Sequence, residues 1–131
     1  MERTGKHFRK RDAILNCVRC TTTHPSAEWV YENVRTQIPD ISLATVYRNL
    51  SLFKEQGLIR SLGTVNGVER FDGNTEPHVH FICTQCSGVQ DLPEISVPEE
   101  LNSAVARSSG GRVENCQLSF TGICGECRKI N

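Results

Sequence analysis

The chain is 131 residues long, 37% hydrophobic and 23% charged, with fifteen Lys/Arg balancing fifteen Asp/Glu. That length holds one ordinary domain or two small ones. The start, "MERTGKHFRKRDAILN", is basic and then helical with no apolar core or cleavage site, and no apolar run approaches a membrane span; a soluble, cytoplasmic protein is expected.

Charge is unevenly placed: residues 1 to 60 carry ten Lys/Arg against six Asp/Glu, and residues 61 to 131 carry five against nine. The basic half is the one to suspect of touching phosphates, although two ordinarily solvated surfaces give the same balance. Residues 9 to 20 have helical composition, with Ala13, Ile14, Cys17 and Val18 at helical spacing. After "TTTHP", Ser26 is suited to an N-cap, Glu28 to the positive helix end, and Ala27, Val30 and Val34 repeat on one face. Pro39 marks the stop. A third helix runs through "ISLATVYRNLSLFKEQG", with Ser42 as N-cap, Gly57 just past the end, and Leu43, Val46, Leu50 and Phe53 as a core stripe. Its opposite face presents Thr45, Tyr47, Arg48, Ser51 and Lys54, a ridge that is either a wet helix face or a DNA-reading surface. "LIRSLGTVNGVERFD" then reads as two short strands about Asn66-Gly67, the dipeptide favoured in type I′ hairpins. Three helices and a hairpin with a basic balance predict a winged helix, which lays its third helix in the major groove.

"NTEP", residues 74 to 77, reads as a hinge. Beyond it come strand "HVHFIC", turn "TQCSG", strand "VQDLP", helix "PEELNSAVARSSGG" and strand "RVENCQLSFTG", ending in "CGEC". This β-β-α-β module is too small to bury much core alone, so it depends on metal, dimerisation or both. The chain is therefore expected to be α+β, with domains over 1–73 and 78–131.

There are seven cysteines, at 17, 20, 83, 86, 116, 124 and 127. An odd number without a secretion signal argues against a disulfide framework and leaves thiols for metal. "CTQC" and "CGEC" each let two thiolates of one turn reach one ion. Two such knuckles make a closed tetrahedral zinc site, provided the 37 residues between them fold back. The alternative is buried or redox-active thiols. Cys17 and Cys20 lie in a helix without a second pair, and Cys17 reads as a small buried hydrophobe.

His78 and His80 are two apart on the inferred strand and point to one side, whereas Cys83 has the opposite parity. One site for all of them is strained. Two histidines on one face need further ligands, and His24, Asp72 and Asp91 are available, each at or near the end of an element. Such nitrogen and oxygen donors suit Fe(II), Mn(II) or Zn(II). A pair of solvent-facing histidines is the bland alternative.

"HPSAEWVYENV", "ISLATVYRNLSLFKEQGLI", "RFD", "HVHFICTQCSGVQDL" and "GICGEC", in order over about residues 10 to 127, resemble the ferric uptake regulator (Fur) family of bacterial metal-dependent repressors. The resemblance implies a homodimer with an N-terminal winged helix-turn-helix DNA-binding domain and a small C-terminal α/β dimerisation domain. It implies structural Zn2+ on Cys83, Cys86, Cys124 and Cys127, and regulatory Fe2+ or Mn2+ on His24, Asp72, His78, His80 and Asp91. Aspartate rather than glutamate at 72 and 91, with three histidines, is more similar to the peroxide-sensing (PerR-like) branch. There, Fe(II) keeps a position open for hydrogen peroxide, and the oxidant formed modifies His24 or His78. The clamp set by the metal then opens.

Double-stranded DNA with a palindromic operator is the implied partner, with Tyr47 and Arg48 at bases and Lys54 and Arg11 on phosphates. The N-terminal segment is shorter than the family's usual one, with "HFRKR" where a longer helix is common. A further metal site of some relatives falls on Pro77, Val79 and Cys116 and is expected to be absent. The chain reads as a repressor, not an enzyme, sensing peroxide or, in the nearest alternative, iron, manganese or zinc sufficiency. A thiol-redox protein using Cys17, Cys20 or Cys116 is the reading from another class. A zinc hydrolase is disfavoured because four sulfurs leave no open position.

Overall fold

The structure is a computed structural model describing residues 5–130, with side chains over 9–129; residues 1–4 and 131 of the expected domains lie outside the described residues. The chain separates into two compact units between Thr75 and Glu76. No helix among the described residues is long and apolar enough to cross a membrane.

The N-terminal unit comprises helices α1 (Gly5–Arg19), α2 (Ala27–Val34) and α3 (Leu43–Glu55) and the hairpin β1 (Arg60–Val65) and β2 (Val68–Asp72). Helix α1 begins before the expected segment, so "HFRKR" is helical. The apolar stripe begins only at Ala13, and the straight-chain residues ahead of it propagate a helix without showing its period. The Ser26 hydroxyl accepts the Trp29 N–H and the Ser42 hydroxyl accepts the Thr45 N–H, each at 3.1 Å, which starts α2 and α3 where expected. Asn66 (φ 52°) and Gly67 (φ 83°) turn the hairpin in the left-handed region, as a type I′ loop requires. Ile14 and Val18, Val30 and Val34, and Val46, Leu50 and Phe53 meet as one core that Ile59 and Phe71 close from the hairpin side. Leu43, expected on that stripe, is only half-buried because it opens the helix, beyond the reach of the core.

In the C-terminal unit the strands β3 (Val79–Cys83), β4 (Val89–Asp91) and β5 (Leu118–Gly122) form a sheet in the order β4-β3-β5, with helix α4 (Glu99–Ser109) crossing between β4 and β5. β3 is antiparallel to β4 and parallel to β5. Being central, β3 is buried at Val79, His80, Ile82 and Cys83 rather than at alternate positions. The expected strand over 112–122 contracts to Leu118–Gly122 because β3 offers pairing partners only from Val79 to Cys83. A short helix α5 (Gly125–Ile130) follows, which periodicity had not indicated. It is too short for a helical stripe, and its first turn is set by the cysteine knuckle.

Candidate metal centres

Parallel pairing of β3 with β5 puts Cys83 opposite Gly122, so the turns leaving both strands emerge at the same end of the sheet. Cys83 and Cys86 come from the first turn, and Cys124 and Cys127 from the second. Their sulfurs all lie within 4.8 Å of one another, with Cys83–Cys127 at 3.8 Å and Cys86–Cys124 at 3.9 Å. A tetrahedron of zinc–sulfur bonds of about 2.3 Å has edges of roughly 3.8 Å. The four thiols therefore fit a structural zinc ion. The backbone prepares the first of them: the N–H groups of Cys86, Cys124 and Gln85 donate to Cys83 Sγ at 3.5, 3.3 and 3.4 Å. These donors hold the Cys83 thiol down to about 6. Hydrogen bonding to Cys124, followed by burial, pushes Cys127 up to about 12, so in the free site the thiols share protons that a metal would displace.

The histidine and aspartate donors form one set in each unit. In the N-terminal unit, His24 precedes α2 and Asp72 ends β2; both are buried, and His24 Nε2 lies 3.6 Å from Asp72 Oδ2. In the C-terminal unit, β3–β4 pairing places His80 opposite Asp91. The Nε2 atoms of His78 and His80 each lie 3.2 Å from Asp91 Oδ1, and their rings are 4.3 Å apart. His78 Nδ1 lies 2.6 Å from the Glu76 carbonyl. A carbonyl only accepts, so Nδ1 donates to it and Nε2 is the ring nitrogen that faces Asp91. A ring nitrogen held by a carbonyl while the other faces the metal position is the usual arrangement of a ligating histidine. Nitrogen and oxygen donors without sulfur suit Fe(II), Mn(II) or Zn(II), whereas the four thiolates select zinc.

The remaining cysteines are elsewhere. Cys17 is half-buried against the N-terminal core, and burial, with Cys20 adding to it, pushes its thiol up. That disfavours the thiolate on which redox or nucleophilic chemistry depends. Cys20 is exposed beyond the end of α1, and Cys116 precedes β5.

On α3, Tyr47 and Arg48 are exposed. Tyr47 Oη donates to Glu28 Oε2 at 2.9 Å, and this bond holds the phenol above its usual range. A cavity of about 530 Å3 between α1 and α3 is lined by Lys10, Arg11, Thr45, Arg48, Asn49 and Leu52. Two of the residues expected at DNA, Arg11 and Arg48, thus share one basic cavity. Lys54 is placed differently, 3.0 Å from Glu69 on β2. The sequence reading missed Lys10 and Asn49, which the basic run at 9–11 and the helical spacing from Thr45 to Arg48 could have indicated.

The profile of the Ferric uptake regulator family matches residues 2–121. The peroxide operon regulator of Bacillus subtilis is 34% identical over 120 residues, covering 92% of this chain and 82% of its own. Among solved structures, the Campylobacter jejuni peroxide stress regulator superposes with a TM-score of 0.76 at 30% identity, over 93% of this chain and 94% of that one. The ferric uptake regulator of Francisella tularensis, solved with iron, superposes with a TM-score of 0.74 at 27% identity, over 98% of this chain and 95% of its own.

Proposed function

We propose that this chain, which belongs to the ferric uptake regulator family, is a metal-dependent transcriptional repressor that reports hydrogen peroxide. The observation carrying the reading is the donor chemistry of the two His/Asp sets. His24 with Asp72, and His78 and His80 with Asp91, offer three imidazole nitrogens and two carboxylate oxygens and no thiolate. Each set alone has too few donors for a tight site. In this reading all five side chains hold one regulatory ion, and the two halves of the chain keep one relative arrangement only while both sets are engaged. The difference in metal affinity between that arrangement and others sets the population competent to bind DNA.

Bound Fe(II) would supply the reducing chemistry toward hydrogen peroxide that Mn(II) does not. His24 and His78 are the side chains that take up oxygen, and a modified ring no longer offers the same nitrogen. The likeness to the Bacillus subtilis peroxide operon regulator supports this choice of signal, as does aspartate at both 72 and 91.

At the operator, α3 lies in the major groove with Tyr47 and Arg48 at base edges and the β1–β2 wing along the backbone. Arg11 and Lys54 face phosphates, Lys54 by exchanging its partner Glu69. Two copies read a palindrome, and they associate through the C-terminal unit. Leu101 and Val105 on α4 and Phe120 on β5, 40%, 48% and 49% exposed, supply apolar surface for that contact.

Mass spectrometry after aerobic expression in iron-replete cells tests the signal. A gain of one oxygen on the peptide holding His24 or His78 is expected. Repression lost to peroxide with both histidines intact would favour the second reading, a metal-sufficiency repressor, which the likeness to the iron-bound Francisella tularensis regulator supports.

A further inference from the structure

We infer that Arg70 is a positioning residue for His24: its guanidinium fastens the loop that carries the imidazole and so sets the affinity of the regulatory site for metal. The inference rests on the ligand set proposed above.

His24 occupies the left-handed region at φ 54°, which few residues other than glycine adopt without cost. It also precedes Pro25, and a residue before proline is driven toward extended backbone. Two local preferences therefore oppose the conformation that turns this imidazole inward, and something non-local must hold it. Three hydrogen bonds from β2 do so. Arg70 Nε donates to the His24 carbonyl, Arg70 Nη2 donates to the Thr23 carbonyl at 2.9 Å, and the Phe71 N–H donates to the Pro25 carbonyl at 2.9 Å.

The two donors of one rigid guanidinium fork meet two successive carbonyls. Successive carbonyls face the same way only where the backbone between them is twisted, and the left-handed φ of His24 provides that twist. Arg70 and Asp72 are two apart on β2 and share a face of the strand. One strand thus presents Asp72 to the ion and, through Arg70, aims His24 at Asp72, with 3.6 Å between their donor atoms. Lysine would have to serve both carbonyls from one nitrogen on a flexible stem, without the fixed fork.

The test uses the full-length, zinc-containing protein and Mn(II) alone, with binding read from the electron paramagnetic resonance signal of free Mn(II). Arg70→Gln should weaken Mn(II) binding by about tenfold or more, the usual effect of losing a group that orients a ligand. Arg70→Lys should fall between that variant and the parent. Removing a positive charge beside a cation site would by itself tighten binding, so weakening reports lost aim rather than lost charge. In a His24→Ala background, Arg70→Gln should add no further loss. In the metal-free protein, Arg70→Gln should speed amide exchange at Thr23 and His24. An equal loss in both backgrounds would mean that Arg70 acts through the general fold, and would overturn the inference. Unchanged binding in Arg70→Gln beside weakened binding in His24→Ala would overturn it while leaving the ligand set intact. Unchanged binding in His24→Ala would overturn both.

Discussion

On β3 the alternation of side chains sends His80 toward Asp91 and leaves Cys83, three residues on, beside Cys124 and Cys127. The two donor sets are therefore separated by strand parity and by donor type, sulfur for zinc and nitrogen with oxygen for the proposed regulatory ion. Individual residues carry the DNA reading as well. Arg48 is exposed on α3, and its Nη2 lies 3.3 Å from Thr45 Oγ1, a weak hold that guanine could replace. Arg48→Ala should cost operator binding about 1–3 kcal/mol if the guanidinium is bidentate to guanine. Fluorescence anisotropy at fixed salt measures this, and an unchanged affinity would remove Arg48 from base readout.

Among the elements, β2 connects the most functions. It supplies Asp72 as a proposed ligand, Arg70 as the proposed fastening of His24, and Glu69 as the tie between wing and α3. Glu69 Oε2 accepts from Ser61 Oγ at 2.6 Å and from Lys54 Nζ at 3.0 Å. These bonds, Ser61 foremost, hold its carboxyl below the usual range. A depressed carboxyl contributes stability that is present above its ordinary pKa and is lost as pH falls through the depressed value. Because both partners of the ion pair are more than a third exposed, solvent screens most of it, and Glu69→Gln should cost only about 0.2–1 kcal/mol at neutral pH. Urea unfolding of the two proteins should converge in acid, below the depressed value; a gap that persists there would mean that the charge is not its source. The residue after β2 is constrained by packing. A Cβ on Gly73 would meet Arg19 Cα at 2.7 Å and the Val18 carbonyl at 2.9 Å. Both are backbone atoms of α1, so neither can swing away. Gly73→Ala should destabilise the N-terminal unit by about 1–3 kcal/mol, read from its urea midpoint.

For the whole molecule, the two units differ in what holds them. The N-terminal unit has a continuous apolar core from all three helices and the hairpin. In the C-terminal unit the buried apolar side chains among the described residues are Val79, Ile82, Cys83 and Val89, while Ile95, Leu101, Val105, Phe120 and Ile123 stay exposed. So small a core supports the expectation that folding draws on metal and on a second copy. Stripping zinc with a strong chelator under reducing conditions should abolish the C-terminal transition and leave the N-terminal one. Circular dichroism during urea titration, with zinc release followed by a chromogenic dye, distinguishes the two. A C-terminal transition that survives with zinc fully released would show the four-cysteine site to be dispensable for folding.

Local chemistry was legible from the residues alone. The Ser26 and Ser42 caps, the Asn66-Gly67 turn, the apolar spacing of α2 and α3 and the two C-x-x-C knuckles all act within one or two turns of chain, so a short window contains cause and effect. The family resemblance joined His24, Asp72, His78, His80 and Asp91, already singled out from the residues, into one expected regulatory site. What a window does not contain was decided by tertiary structure. β5 stops short of its apolar pattern because β3 is short, and the knuckles meet because parallel pairing brings both strand ends to one edge. Tyr47 is held by Glu28, Lys54 by Glu69, and the loop of His24 by Arg70, across 19, 15 and 46 residues of sequence. The sequence by itself determined which donors exist and which element carries each; only the fold decided their aim, because aim depends on hydrogen bonds between segments that no local periodicity records.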